Sequence, residues 1–294
     1  MNYYDEIKKE LLNNEITKKV KNYSINKSDL TTYYNIGKLL SEAGKHYGEG
    51  IIKEYSEKLT TEFGKGYSKR NLWLMLKFYE LEEKVQTLSA QLSWSHYCEL
   101  LPINSIDKIT YYLNICEEQN LSVRELRQKI KSNEYERLDE ETKKKLKIKE
   151  ELKVPDLVKN PIQIKNTSGY NEISEKVLQK LILEDIPSFL KELGNEFSFI
   201  DSEYKIKIGD RYNYIDLLLF NIEYNCYVVV ELKVTELKKE HIGQIEFYMN
   251  YIDNNLKKLS QDKTIGIIIC KKENKYVIEY CSDDRIIARE YELI

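Results

Sequence analysis

Apolar residues recur at helical spacing through the first half of the chain. Segments 29–47, 51–63, 69–85 and 105–119 each carry such a stripe, with polar residues between the apolar positions. Pro102 is the one proline in this half, so few positions oppose helix continuation. The pattern predicts an all-α N-terminal domain.

The apolar pattern changes its period in the second half. Residues 171–193 predict an amphipathic helix, and three strand-like runs follow it, at 197–208, 212–222 and 226–235. The remaining predicted elements are a helix over about 237–257, a strand at 264–270 and a last strand near 286–293. This order predicts an α/β domain with a mixed sheet, because a strand–helix–strand passage adds a parallel neighbour to an antiparallel meander.

A nearly continuous charged run separates the two patterns. It covers residues 139–153 (DEETKKKLKIKEELK) and is followed by Pro155 and Pro161. Such a run is typical of a solvated helix or a tether. We therefore predict two domains, a helical one at 1–150 and an α/β one at 151–294. The run can equally be a surface helix of the first domain.

The composition is that of a globular protein with a well-charged surface, since 41% of the 294 residues are hydrophobic and 32% are charged. No apolar run approaches the length of a membrane span, and the first residues lack an apolar signal-peptide core. We expect a cytoplasmic protein with no membrane partner. The net charge of −3 averages two unlike parts: residues 1–153 carry 27 Lys+Arg against 25 Asp+Glu, and the remainder 19 against 24. Contacts with nucleic acid would therefore need local basic patches.

The cysteines and histidines do not indicate a disulfide framework or a zinc site. Five cysteines are scattered without a CxxC pair, and three histidines lie far apart in the sequence. A bound metal would therefore be a hard ion held by oxygen ligands.

Two charged residues interrupt an apolar run in the stretch VVVELKV, residues 228–234. Its β-branched composition is typical of a central strand, yet Glu231 and Lys233 lie within it, on the same side. Asp216 interrupts the preceding predicted strand in the same way, fifteen residues before Glu231. If the two strands pair as a hairpin, the two acids approach one another on one face of the sheet.

Two neighbouring carboxylates in such a place need a partner. At about 4 Å, two ionised carboxylates repel each other by roughly 4 kcal/mol at an effective dielectric constant near 20. Lys233 offsets only one of the two charges. Either one acid is protonated or a divalent cation lies between them, and carboxylate oxygens are ligands that Mg²⁺ takes.

An aspartate followed on the next strand by Glu-x-Lys resembles the motif of the PD-(D/E)XK nucleases. The longer segment ELKVTELKKEHIGQIEFYMNYID resembles the C-terminal nuclease domain of the YhcG family, as do FLKELGNEFSFI and YIDLLLF upstream of it. In the first half, YYNIGKLL, FGKGYSKRNLWLMLKFY and QLSWSHYCELL resemble the helical domain found with this nuclease. The resemblance spans most of residues 30–293 and implies a restriction-endonuclease-like α/β core.

The resemblance also implies an activity, a Mg²⁺-dependent DNA endonuclease with Mn²⁺ as a substitute metal. Asp216 and Glu231 become metal ligands and Lys233 the catalytic base, while Gln244 matches a family glutamine that faces the site. Alternatively, Gln244 is an exposed polar residue of its helix. The family further implies a homodimer and a role in bacterial or mobile-element DNA processing, or in defence against foreign DNA such as that of phages.

One position departs from the family pattern. A glutamate usual on the first helix of the nuclease domain is replaced by Gln179, and Glu175, one helical turn earlier, is the first candidate to substitute as a metal ligand. Glu172 and Glu203 are weaker candidates. The replacement keeps open a catalytically inactive DNA-binding or scaffold protein that retains the nuclease fold. A nuclease directed at RNA is a third interpretation.

The helical half contains a segment that resembles a helix-turn-helix. Two predicted helices, 51–63 and 69–83, flank Gly64-Lys65-Gly66, and Ser68 is placed to cap the second helix. The candidate DNA-binding residues lie on or near the side of this helix away from its apolar stripe, and they are Lys65, Lys69, Arg70 and Lys77. The alternative is an ordinary helical hairpin with a solvated basic face.

Overall fold

The computed structural model describes residues 3–20, 25–48, 50–85, 92–194, 196–281 and 283–294. The chain divides into two compact units, Met1–Tyr135 and Glu136–Ile294. Among the described residues, the regular elements of the first unit are helices and those of the second are helices and strands. The hydrophobic pattern thus predicts the class of each unit correctly.

Helix α4 is central to the packing of the first unit. The helices of this unit are α1 Tyr3–Val20, α2 Ile25–Tyr47, α3 Ile51–Phe63, α4 Lys69–Val85, α5 Trp94–Leu100, α6 Ile106–Glu118 and α7 Val123–Lys131. Leu72 and Met75 of α4 pack in a cluster with α1, α2 and α3, whereas Phe78 packs in a second cluster with α5, α6 and α7. α2 and α4 pack closely at Gly37, where an added Cβ would lie 2.1 Å from the carbonyl oxygen of Met75.

The predicted helix, tight turn and helix are present in the first unit. Gly64 follows α3 with φ 94°, a short 3₁₀ turn spans Lys65–Tyr67, and α4 begins after Ser68. The amide of Asn71 donates to Ser68 Oγ at 3.4 Å, which is the capping contact expected of this serine.

The division between the units lies after residue 135, earlier than the boundary at 150 that the sequence predicts. The charged segment lies in the second unit because its charges find partners there. Arg289 donates to Asp139 at 2.7 Å, and Lys145 donates to Asp156 at 2.9 Å. A run whose composition is typical of a tether is therefore a packed part of the α/β unit.

The second unit combines helices with the strands of a sheet. Its helices, within the described ranges, are α8 Glu140–Ile148, α9 Val154–Leu157, α10 Glu175–Glu184, α11 Ile186–Leu193, α12 Lys239–Asn255 and α13 Lys275–Glu279. Its strands are β1 Ile162–Ile164, β2 Phe197–Ile208, β3 Arg211–Asn221, β4 Cys226–Glu236, β5 Ile265–Lys272 and β6 Ile286–Leu293. No helix among the described residues is long and apolar enough to cross a membrane.

The described strands form one mixed sheet in the order β1-β6-β5-β4-β3-β2. β2, β3 and β4 form the predicted antiparallel meander, and β5 joins β4 in parallel after the crossover helix α12. α10 and α11 cover one face and α12 covers the other, so β4 is buried on both sides. The helix predicted at 171–193 is interrupted at Asp185, and Pro187 lies in the first turn of the second helix that follows.

Helix α12 packs against β5 without a spacer side chain. At Gly266 an added Cβ would lie 2.6 Å from Met249 Sδ and 2.9 Å from Ile245 Cδ1. This close approach fixes the height of α12 above the sheet, and with it the position of the side chains that α12 directs toward β4.

Candidate active site

β3 and β4 separate from one another at the position of Asp216. Their register confirms the predicted hairpin, and pairing runs as far as Leu217 opposite Val230. Beyond that pair, Asp216 Oδ2 accepts a hydrogen bond from the amide of Leu232 at 2.8 Å. The Asp216 carboxylate replaces a backbone carbonyl of β3 as the acceptor for the Leu232 amide. It therefore lies beside the Glu231–Lys233 segment of β4.

The backbone of β2 is distorted at the same place. Glu203 lies level with Asp216, between the residue pairs Ser202–Leu217 and Tyr204–Ile215, and it has φ 50°. A left-handed conformation is uncommon for a residue with a Cβ, and such residues cluster at functional positions. Both edges of β3 thus depart from regular pairing around Asp216.

The side chain of Glu231 is almost completely enclosed, with 3% of its surface exposed. Its Oε1 accepts hydrogen bonds from Lys233 Nζ and from Gln244 Nε2, each at 2.8 Å. Its Oε2 is buried and has no hydrogen-bond partner within the described part of the chain. A buried carboxylate oxygen without a donor is costly and suggests a place for a ligand that is itself positive.

The electrostatics of this cluster follow from burial and from the two neighbouring acids. Burial and the charge of Asp216 raise the pKa of Glu231 to about 7. Burial also raises the pKa of Asp216, although the Leu232 amide and Lys233 oppose this shift. Burial by itself lowers the pKa of Lys233, but the hydrogen bond to Glu231 and the nearby acids outweigh it and hold this pKa above its ordinary value. A protonated Lys233 can orient an anion or a water, but it cannot accept a proton in this state.

Helix α12 supplies the second donor to Glu231. Gln244 Nε2 also lies 3.2 Å from the hydroxyl oxygen of Tyr248, one turn later on the helix. The structure therefore places Gln244 inside the cluster rather than on the exposed side of α12. His241, on the first turn of α12, has a pKa lowered by partial burial and by the charges of Lys233 and Lys238.

Helix α10 approaches the cluster from the other side of the sheet. Gln179 is buried and its Nε2 donates to the main-chain oxygen of Asp216 at 3.0 Å, so this residue holds the backbone of the acid. Glu175, one turn earlier, has its Oε2 3.8 Å from Lys233 Nζ, and 47% of its side chain is exposed. Glu175 thus contributes negative charge at the solvent-exposed edge of the site, next to Lys233.

Comparison with known protein families agrees with this geometry. Residues 155–294 match the family described as the YhcG PDDEXK nuclease domain, and residues 7–137 match the DUF1016 N-terminal domain. Residues 155–294 thus form a YhcG-type PDDEXK nuclease domain. The curated protein "Putative nuclease YhcG" of Escherichia coli (strain K12) is 24% identical over an alignment that covers 92% of this chain and 84% of that protein.

Two solved structures align with part of this chain. A repair endonuclease from Pyrococcus abyssi aligns with a TM-score of 0.30 and 18% identity over 41% of this chain. An EndoMS complex with double-stranded DNA aligns with a TM-score of 0.29 and 20% identity over 42%. The chain spans about half the length of these two proteins, 48% and 47% respectively.

The donor set of this YhcG-type site suits a hard divalent cation that takes few protein ligands. Within the described residues, no group of three or more His, Cys, Asp or Glu side chains could hold a metal ion. Asp216 and Glu231 still offer two carboxylates, and one of their oxygens, within the described chain, has no partner. Mg²⁺ is commonly bound through one or two carboxylates together with waters and substrate phosphates, so the pair fits this ion.

The four candidate DNA-binding residues lie in the first unit, at the turn before α4 and along α4. Lys65, Lys69 and Arg70 are exposed. Lys77 is partly buried and donates to Glu80 at 2.9 Å, with its ammonium 5.5 Å from the centroid of the Trp73 ring. Three of the four side chains are thus open to a partner, and the fourth is engaged within its own helix.

The contacts of two residues of the site, Tyr248 and Gln179, were not predicted from the sequence. Tyr248 could have been found from its spacing, because it lies four residues after Gln244 and so on the same helix face. Gln179 stands out in the sequence only as a departure from the family pattern, and its bond to Asp216 joins residues 37 positions apart. No local signal in the sequence reveals that contact.

Proposed function

We propose that the chain is a metal-dependent DNA endonuclease that hydrolyses phosphodiester bonds. The observation that carries this proposal is the meeting of Asp216 and Glu231 where β3 leaves β4, with a lysine beside them and a buried oxygen of Glu231 that has no partner among the described residues. An arrangement of two acids and one lysine is suited to phosphoryl chemistry, in which a polyanionic substrate needs concentrated positive charge. The match of residues 155–294 to the YhcG PDDEXK nuclease domain supports the same activity.

The roles of the residues follow from their contacts. Asp216 and Glu231 would hold Mg²⁺ or Mn²⁺, which when bound lowers the pKa of a water and neutralises charge on the phosphate. Lys233 carries its positive charge to an anionic phosphate oxygen or orients the attacking water. Gln244 fixes the orientation of Glu231, and Gln179 fixes the main chain of Asp216.

We further propose that the first unit binds DNA through Lys65, Lys69 and Arg70 and that the protein acts as a homodimer in the cytoplasm. Cutting both strands of a duplex requires two sites, which two copies of the chain would supply. A role in DNA processing or in defence against foreign DNA is consistent with such an activity. Sedimentation at micromolar concentration tests the dimer, and a monomer under all conditions would contradict it.

The activity can be tested on supercoiled plasmid, linear duplex and RNA, each with Mg²⁺, Mn²⁺ or EDTA. We expect cutting of DNA that requires the metal and that falls by at least about a hundredfold in Glu231→Gln and in Lys233→Met. Glu236→Gln is the matched control, because Glu236 is an exposed carboxylate at the end of the same strand. Binding of DNA without cutting under any metal would contradict the proposal, as would equal cutting by Glu231→Gln.

DNA binding by the first unit can be tested separately, in EDTA. A triple Lys65→Ala, Lys69→Ala, Arg70→Ala variant lacks three positive charges that would each neutralise a phosphate. The plot of log affinity against log salt has a negative slope, and this slope should become less steep by about 0.9 for each phosphate that is no longer neutralised. Lys77→Ala is the control, since this lysine is engaged with Glu80. An unchanged salt slope in the triple variant would exclude this surface.

A further inference from the structure

The β2–β3 hairpin extends beyond the region where β3 pairs with β4. That pairing ends at Leu217 opposite Val230, whereas β2 and β3 stay paired out to Ile208 opposite Arg211. Residues 204–215 therefore form a two-stranded ribbon, the hairpin arm. The arm begins directly beside Asp216, at the bend marked by the left-handed residue of β2.

The two faces of the hairpin arm differ in exposure. On the inner face, Ile206 and Ile215 are fully buried in the core cluster formed with α12. On the outer face, Tyr212 and Tyr214 are exposed over 52% and 51% of their surfaces. The inner face accounts for the stability of the arm, and the outer face carries two aromatic rings in contact with solvent.

Basic side chains lie across from these rings. Lys205 is opposite Tyr214 and Lys207 is opposite Tyr212 in the register, and Lys205 Nζ lies 3.8 Å from the centroid of the Tyr212 ring. The exposed charged residues within 203–214 are three basic and two acidic ones, Lys205, Lys207, Arg211, Glu203 and Asp210. The arm thus combines two exposed rings and two lysines on its outer face with a small excess of positive charge over the segment as a whole.

This combination matches the chemistry of a single nucleic-acid strand. Aromatic rings stack on bases and neighbouring basic groups contact the phosphates. The two tyrosines are two residues apart on one strand, so their Cα atoms are separated by about 7 Å, roughly twice the ~3.4 Å rise between stacked bases in a duplex. Bases that fit the two rings have to be unstacked from each other, which excludes an intact duplex.

We propose that the outer face of the hairpin arm binds unpaired bases of the DNA substrate. The proposal rests on the proposed nuclease function and names its substrate class, DNA with a single-stranded stretch next to the bond that is cut. Tyr214 precedes Asp216 by two residues on β3, so the Cα atoms of the ring-bearing residue and of the candidate metal ligand are about 7 Å apart. The alternative is that the Lys–Tyr pairs serve only to stabilise the hairpin.

Binding to labelled oligonucleotides in EDTA tests the proposal without any cutting. We expect Tyr212→Ala/Tyr214→Ala to bind a short single strand at least about tenfold more weakly than the parent, with less than about a threefold change for the matching duplex. Tyr212→Phe/Tyr214→Phe retains both rings and should bind like the parent. The control is Tyr276→Ala/Tyr280→Ala, which removes two other exposed tyrosines, with 75% and 83% of their surfaces exposed.

Equal losses for single-stranded and duplex DNA, or an equal loss in the control variant, would overturn the proposal. A measurement on the unmodified protein covers the case in which the alanine variant does not fold. Ultraviolet crosslinking to a single strand that contains 5-iodouracil should give adducts on Tyr212 or Tyr214, located by peptide mass spectrometry. Adducts confined to other tyrosines would refute the assignment.

Failure of this proposal and failure of the nuclease function give different results. A protein that binds single strands through the arm but cuts no nucleic acid with any metal would refute the nuclease function alone. A protein that cuts DNA while its arm variants bind single strands like the parent would refute the arm proposal alone.

Discussion

The charge of Glu231 should make the second unit less stable at high pH, and Glu231→Gln should remove that effect. The pKa of this buried acid is raised from its ordinary 4.5 to about 7. Between these two values the folded protein keeps a proton that the unfolded chain has released, so stability falls as pH rises through this window and the loss is complete above it. At about 1.36 kcal/mol per pH unit, the full penalty is about 3 kcal/mol.

The measurable quantity is the difference in unfolding free energy between Glu231→Gln and the parent. Because unfolded glutamate is already largely ionised at about pH 5, part of the penalty is present there, and the difference should grow in favour of the variant by about 2 kcal/mol between about pH 5 and pH 8. The loss of the acceptor for Lys233 acts at both pH values and cancels from this change. A constant cost of the substitution therefore does not obscure the result.

Amide hydrogen exchange of β3 and β4 peptides, without added metal, reports this change for the second unit alone. Variant and parent are compared at the same pH, so the intrinsic exchange rate cancels, and a change of about 2 kcal/mol corresponds to about thirtyfold in protection. Glu236→Gln, an exposed acid on the same strand, should show no such trend. A variant–parent difference that stays constant or shrinks over the same rise in pH would refute the electrostatic account of the site.

Three further substitutions test how the site and the cores are held. Gln179→Ala leaves the carbonyl of Asp216 without its 3.0 Å hydrogen bond, so plasmid cutting should fall about tenfold or more and urea unfolding should show a loss of about 1–2 kcal/mol. Gly266→Ala places a Cβ 2.6 Å from a methionine sulfur of α12, and the overpacking should lower stability by about 1–3 kcal/mol in thermal melts. Gly37→Ala places a Cβ 2.1 Å from a carbonyl oxygen of α4, which should destabilise the first unit by about 3 kcal/mol, measured by hydrogen exchange of α2 and α4. Gly44→Ala on the same helix has open space around its Cβ, so it should not destabilise the unit, and its higher helix propensity should slow exchange by up to about 1 kcal/mol.

Elements with a long, regular apolar period could be predicted from the sequence. The strands predicted at 197–208 and near 286–293 have the bounds that the structure shows, and α3 and α4 begin and end where the pattern places them. The three-residue strand β1 was not predicted, because it is too short for a period and depends on parallel pairing with β6 far along the chain. The break before α11 had a local signal in Asp185 and Pro187 that the long apolar stripe concealed.

The candidate site shows the same limit. Asp216, Glu231 and Lys233 could be selected from the sequence because charge in an apolar strand is unusual, and the hairpin register then brings them together. The end of β3–β4 pairing could not be predicted, since it depends on a side chain of one strand replacing a backbone partner of the other. The contact from α10 could not be predicted either, because helix periodicity does not indicate which strand a helix covers.

The cost of the site and its function have one physical origin. A penalty of about 3 kcal/mol is a large part of the roughly 5–15 kcal/mol that separates folded from unfolded proteins, so the surrounding fold has to offset it. β4 contributes hydrophobic burial that helps to offset this penalty, because Val228, Val229 and Val230 are fully buried between the two helical layers. A divalent cation between Asp216 and Glu231 would neutralise the same charges that lower the stability, and binding of any ligand to the folded state stabilises it. The raised pKa of Glu231, its buried oxygen without a donor in the described chain and the proposed metal site are therefore three consequences of placing two acids on adjacent buried strands.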